Sequence, residues 1–218
     1  MFQQSRYLKK IGILDKHQLL QLITAERFER LYTVLKNRTS DLTIVLENVH
    51  DPHNVSAVMR SCDAVGVASA NLVYYGGQKF PRLANTSSAS AAKWLELKKF
   101  SDIDSCYQTL KQQGKKIYTT HMSRDALSLY DLDLTGPVAL VFGNEHDGVS
   151  ERAVEISDGN FLIPQTGMVQ SLNISVACAV SLFEALRQRQ KAGRCGSFSD
   201  SEIFQLMEQW YRREKGLL

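Results

Sequence analysis

Three polar stretches hold the side chains of this chain that could do chemistry: Asn54–Arg60 (NVSAVMR), Leu140–Gly148 (LVFGNEHDG) and the run IPQTGMVQSLNISVA from Ile163. Arg60 carries a guanidinium that stays protonated at any working pH. It therefore suits a phosphate or a developing negative charge better than the work of a general base. Glu145 follows Gly143-Asn144, and a glycine there permits close backbone approach to a ligand. Ser171 and Asn173 stand before a long small-residue helix, whose unpaired N–H groups receive polar ligands, and Ser171 is placed to cap it. The alternatives are plain: Arg60 paired with Asp63 or Glu47, Glu145 as a loop carboxylate, Ser171 and Asn173 as helix caps, and His121 as a structural histidine.

The elements around these stretches alternate between strand and helix signals. Thr43–Glu47 is predicted as a buried strand, and Asn54–Val65 as a helix stopped by Gly66. Asn71–Tyr75 reads as a strand, followed by a long Ser/Ala/Asn-rich loop over Gln78–Ala92. Lys93–Lys99, Lys116–Thr120, Val138–Phe142 and Asn160–Ile163 are further strands. A helix opens at Ser101 and Asp104 and ends at Gly114, and a short one is capped by Ser150. This order predicts an α/β fold with a mostly parallel sheet and helices on both faces. In such sheets ligands bind beyond the carboxyl ends of the strands. Asn54, Gly143-Asn144-Glu145 and Pro164–Asn173 all fall there, so three polar loops converge on one side.

The helix Asn173–Arg187 is apolar twice over. Ile174, Ala177, Cys178, Leu182, Ala185 and Leu186 form one stripe, and Val176, Val180 and Phe183 form another. Both must be buried, in the core, against a second subunit, or in each direction at once. Before the first core strand, Asp15–Asn37 reads as one bent helix or two short ones, with Asp15 and Thr24 as starts. Phe198–Arg213 reads as a further amphipathic helix.

Charge is divided unevenly. Residues 1–40 carry 8 Lys/Arg and 3 Asp/Glu, residues 41–183 carry 11 and 15, and residues 184–218 carry 7 and 5. The positive charge sits on the two ends, where phosphate contacts could hold a polyanion without reading its sequence. A basic N-terminal helical arm over 1–40, a core domain over 41–190 and a C-terminal helical extension over 191–218 follow. No G-x-G-x-x-G or G-x-x-x-x-G-K-[ST] pattern occurs, which argues against a nicotinamide enzyme or an NTPase. The four cysteines form no C-x-x-C pair, and His50 and His53 lack a second ligand pair, so no metal is expected. Reduced thiols, no apolar run of membrane-spanning length and no signal-peptide pattern point to a cytoplasmic protein.

The three stretches, in this order and with the segments between them covering about Leu42 to Gln190, resemble the three motifs of the SpoU branch of the SPOUT RNA methyltransferases. The phrase LENVHDPHNVSAVMRSCDAVGV carries the match toward the tRNA-modifying members. The resemblance implies a deep C-terminal trefoil knot, a homodimer, and S-adenosylmethionine as cofactor. It implies 2'-O-methylation of a ribose in tRNA, at the D-loop guanosine of tRNA position 18. The alternatives are a SpoU relative acting on ribosomal RNA and a non-catalytic RNA-binding protein on the same fold.

By the same resemblance, Arg60 stands at the reacting hydroxyl and Asn54 orients it, with Glu145, Ser171 and Asn173 completing the catalytic set. Thr120, His121, Gly143, Asn144, Glu145, Ile163, Pro164, Gln165, Ser171 and Leu172 would line the cofactor, with Ile163, Pro164 and Leu172 around the adenine. Gln165 departs from the family pattern, which often has methionine there, and so bears on cofactor affinity.

Overall fold

The structure is a computed structural model, and it describes residues 16–81, 91, 93–169 and 171–216. The Asp15 cap and most of the Gln78–Ala92 loop lie outside the described residues. Two compact units are present. One is Ser40–Cys195, and the other joins Met1–Thr39 to Gly196–Leu218.

Ser40–Cys195 is built on seven parallel strands: β1 (Leu42–Glu47), β2 (Ser69–Val73), β3 (Glu96–Phe100), β4 (Lys116–Thr120), β5 (Leu127–Ser128), β6 (Val138–Phe142) and β7 (Gly159–Leu162). Their order across the sheet is β3-β2-β1-β6-β4-β7-β5, with every pairing parallel. The chain runs outward from β1 through β2 to β3, then returns to fill the other side, so the order reverses between β1 and β6. That is the switch point at which open α/β sheets bind ligands.

β1 and β6 are buried along their whole length, as central parallel strands must be when both faces are covered. Strand alternation sends Leu42, Ile44, Leu46, Val138, Leu140 and Phe142 into one apolar core. Val45, Ala139 and Val141 enter a second core on the opposite face. Helices α3 (Pro52–Val65) and α6 (Ile174–Lys191) cover the first face and pack on each other. Helices α4 (Ile103–Gln112) and α5 (Glu151–Glu155) cover the second through Ile103, Cys106, Tyr107, Leu110 and Ala153.

Local signals placed most boundaries, with some shifts. α3 ends at Gly66 in the left-handed conformation (φ 81°). It starts two residues before the expected Asn54, because Asp51 accepts from the His53 amide and Pro52 fills the first position, where its missing N–H costs nothing. α4 is capped by Asp102, not Ser101, through the Ser105 amide at 2.7 Å. Leu127–Ser128 was not expected; two residues carry no period. The 3-10 turn at Leu129–Asp131 follows it, and α6 grips the chain beyond. Gln188 hydrogen-bonds both the Leu134 amide and the Leu132 carbonyl, and buried Arg189 donates to the Leu134 and Gly136 carbonyls.

In the other unit, α1 (Lys16–Leu22) and α2 (Ala25–Lys36) are the two short helices allowed by the sequence, with Thr24 capping the second. α2 packs on α7 (Asp200–Glu214) through Phe28, Tyr32 and Phe204. Ser199 and Glu202 close a capping box at the start of α7. Arg38 is buried, and its guanidinium lies 5.0 Å from the Trp210 ring, an arrangement in which the ring face offsets lost hydration.

Candidate active site

Asn54 lies in the first turn of α3, beyond β1; Glu145 lies beyond β6; Asn173 lies at the end of the loop that follows β7. The Asn54 carboxamide joins all three loops. Its Nδ2 donates to Glu145 Oε1 at 2.7 Å, and its Oδ1 accepts from Asn173 Nδ2 at 3.1 Å. An amide has one donor end and one acceptor end, so this chain of contacts also fixes which way Asn54 faces.

Each member is positioned by its own element. Asn173 is the cap of α6: its Oδ1 accepts from the Ser175 amide at 2.8 Å and from the Ser175 hydroxyl at 2.6 Å, leaving Nδ2 for Asn54. The cap was expected at Ser171, which instead lies exposed two residues earlier. Glu145 stands at the tip of a tight turn closed by Asn144 and Gly148, whose backbones exchange two hydrogen bonds of 3.1 Å. Asn144 Oδ1 accepts from the His146 and Asp147 amides at 2.8 and 2.7 Å. A Cβ on Gly143 would run into the Gly148 carbonyl and the Val149 nitrogen. The close approach that requires glycine at Gly143 is thus the turn's own backbone, where the sequence suggested a ligand.

Arg60 is exposed on α3, and no hydrogen bond or ion pair holds its guanidinium among the described residues. It does not join the Asn54 group, and neither Glu47 nor Asn54 holds it. Its charge is left available to an incoming anion.

The remaining candidates border the same edge of the sheet. Thr120 closes β4, its hydroxyl donating to the Val141 carbonyl at 3.0 Å. The His121 amide donates to the Phe161 carbonyl, while its side chain is exposed, unlike a buried structural histidine. Ile163 is half-buried against the first core. Pro164, Gln165 and the residues to Val169 are exposed, and Leu172 is half-buried. The exposed residues 164–169, with partly buried aliphatic Ile163 and Leu172 on the same loop, suit a flat apolar ring with polar edges.

Tyrosines that sequence reasoning passed over support the site. Tyr74 donates to the Val49 carbonyl at 2.6 Å, steadying the loop between β1 and α3. Burial, with the nearby Glu145 charge adding to it, holds this phenol well above its ordinary range. Buried Glu47, the last residue of β1, accepts from the Tyr75 hydroxyl, the Ser150 hydroxyl and the Ser150 amide. A carboxylate ending a buried, mostly apolar strand was the available signal.

Fold and site together define an α/β protein with a parallel sheet and a hydrogen-bonded polar site at its switch point. A family model described as SpoU rRNA Methylase family matches residues 41–183, and this chain belongs to that family. It is 45% identical over 192 residues to a tRNA (guanosine(18)-2'-O)-methyltransferase of Thermus thermophilus, covering 87% of this chain and 98% of that protein. It is 41% identical to the enzyme of the same name from Escherichia coli K12, covering 77% of this chain and 72% of that one. The crystal structure of the Aquifex aeolicus TrmH/SpoU tRNA modifying enzyme superposes with a TM-score of 0.81 at 36% identity, covering 87% and 96% of the two chains.

Proposed function

We propose that this protein methylates the 2'-hydroxyl of guanosine 18 in tRNA, with S-adenosylmethionine as the methyl donor. The observation that carries the reading is the union of Asn54, Glu145 and Asn173 at the switch point, in a chain so similar to enzymes of that name. Loops from three motifs are held in one geometry there, as in-line transfer demands.

The residues fit the cofactor. Ile163 and Leu172 offer aliphatic surface for the adenine, and the exposed residues 164–169 offer polar groups to its edges. When bound, S-adenosylmethionine supplies a methyl group on a positively charged sulfur. Arg60 binds a substrate phosphate and stabilises negative charge developing on the ribose oxygen. Because it stays protonated, the hydroxyl proton passes to a phosphate oxygen or to water. Glu145 and Asn173 hold Asn54, and Ser171, exposed on the loop that ends at Asn173, reaches toward the reaction centre.

The reading extends to a C-terminal knot, a homodimer and a cytoplasmic location. Support for the first is the grip of α6 on residues 132–136. For the second it is the outward stripe of α6, with Val176 and Phe183 about half exposed. For the third it is the set of four free cysteines. Among the described residues no helix is long and apolar enough to cross a membrane.

The activity is tested by incubating the protein with labelled S-adenosylmethionine and three RNAs in turn. These are a tRNA transcript, the same transcript with adenosine in place of the target guanosine, and a 23S rRNA fragment. Label in the first alone is expected. Label in the rRNA fragment alone would move the substrate to ribosomal RNA.

A further inference from the structure

The geometry points to Glu47 as a positioning residue for this reaction, acting through Glu145; the inference rests on the function proposed above. Glu47 is 2% exposed. A carboxylate taken out of water without compensation is costly. Here Oε1 accepts from the Tyr75 hydroxyl and from the Ser150 hydroxyl, both at 2.7 Å, and Oε2 accepts from the Ser150 amide at 2.9 Å. No cation pairs with it among the described residues. For stability alone, apolar side chains at Glu47, Tyr75 and Ser150 together could serve nearly as well, whereas replacing Glu47 by itself would strand its donors. The polar junction therefore calls for another account.

What it joins supplies one. The segment Gly143–Ser150 leaves β6, turns through the Asn144–Gly148 bridge and enters α5. Its internal hydrogen bonds make the turn rigid without setting its direction. Two polar tethers among the described residues hold it from outside: Asn54 at the Glu145 tip, and Glu47 at Ser150. Glu47 and Asn54 bracket the loop between β1 and α3, so both tethers run to the same short stretch of chain. The stretch is itself fixed, since Asn48 bonds the Val73 carbonyl and the Tyr75 amide, and Tyr74 bonds the Val49 carbonyl. Glu47 thus sets the distance between the Glu145 carboxylate and the Asn54 amide. Loosening it lets the turn swing, and misplacing reacting groups by about 1 Å can cost on the order of 100-fold in rate.

The test is a double-mutant cycle on the full chain with single-turnover methylation as readout. Glu47→Ala is expected to lower the single-turnover rate constant at saturating tRNA at least tenfold, with the tRNA concentration for half-maximal rate within about twofold. In a Glu145→Ala background it is expected to add no more than about twofold, because a tether to an absent carboxylate does nothing. Glu47→Gln is expected to retain most activity. Its carbonyl can accept from the Ser150 amide, and its amino group can donate to the two hydroxyls, which reverse. Full activity in a folded Glu47→Ala protein, or losses that multiply in the double variant, would overturn the inference.

If Glu47→Ala does not fold, Ser150→Ala carries the same cycle: it removes one donor to Glu47 together with the α5 cap, and the Glu145→Ala background separates the two, since only the tether acts through Glu145. Hydrogen exchange supplies a readout independent of activity. Peptides covering 143–150 should exchange faster in Glu47→Ala than in the parent or Glu47→Gln, and unchanged exchange would count against the inference even if the parent protein proves inactive on tRNA. An inactive parent with the expected exchange pattern would instead overturn the proposed function and leave the tether standing.

Discussion

At the residue scale the site divides into groups that hold each other and one that holds nothing. Glu145 and Asn173 are both hydrogen-bonded to Asn54, whereas Arg60 lies exposed. That contrast fits a division between residues that build the site and one that meets the substrate. Arg60→Ala is expected to lower the single-turnover rate at saturating tRNA by at least ~100-fold, roughly 2.7 kcal/mol of transition-state stabilisation. Arg60→Lys should restore little, because it loses the planar fork that grips phosphate at two points. Folding should survive, since alanine is the better helix former at an exposed helical position. Calorimetry beside the rate measurement separates these effects. A stable Arg60→Ala protein with near-parental rate would remove Arg60 from the mechanism. Roles for single residues come only from the resemblance. Their partners were not legible in the sequence, because Asn54 lies 91 residues from Glu145 and 119 from Asn173, beyond the reach of any local pattern.

At the element scale most of the architecture was written in local chemistry. Thr24, Gly66 and Ser150 stand where caps and stops are needed, and the structure uses them so. Ser171 failed as a cap because Asn173, two residues on, makes the same contact from closer to the helix start. Gly143 was legible as a close-approach glycine, but what approaches it is set by the tertiary turn. The turn yields a prediction of its own. Gly143→Ala forces a methyl group against the Gly148 backbone, which cannot yield as a flexible side chain could. Overpacking of this kind costs about 1–3 kcal/mol, and for a chain of this size each kcal/mol lowers Tm by about 2–4 °C. A scanning-calorimetry drop in that range is expected, with weaker S-adenosylmethionine binding by titration calorimetry, since Asn54 joins this turn to the end of the proposed cofactor loop. Unchanged cofactor affinity in the variant would show that the turn does not shape the pocket.

At the scale of the whole molecule, the unsolved surface is the outer stripe of α6. Its inner stripe, Ile174, Cys178, Leu182 and Ala185, is buried in the first core, as the sequence required. Its outer stripe keeps Val176 at 47% and Phe183 at 52% exposure. Single exposed apolar side chains are ordinary, but these two lie on one helix at a spacing of seven, with half-buried Val180 between them. Spacing of that kind places them on one face. A second copy of the chain would cover the stripe by presenting its own α6, the self-complementary contact of a two-fold dimer. Light scattering at micromolar concentration is expected to give twice the 24.6 kDa chain mass. Phe183→Glu should shift that mass toward the monomer, because it sets like charges near the two-fold axis and removes the largest side chain of the stripe. The fold of each subunit should persist, since Phe183 is not part of the buried core. A parental protein that is monomeric at that concentration would sink the dimer, and a dimeric Phe183→Glu protein would move its interface away from α6.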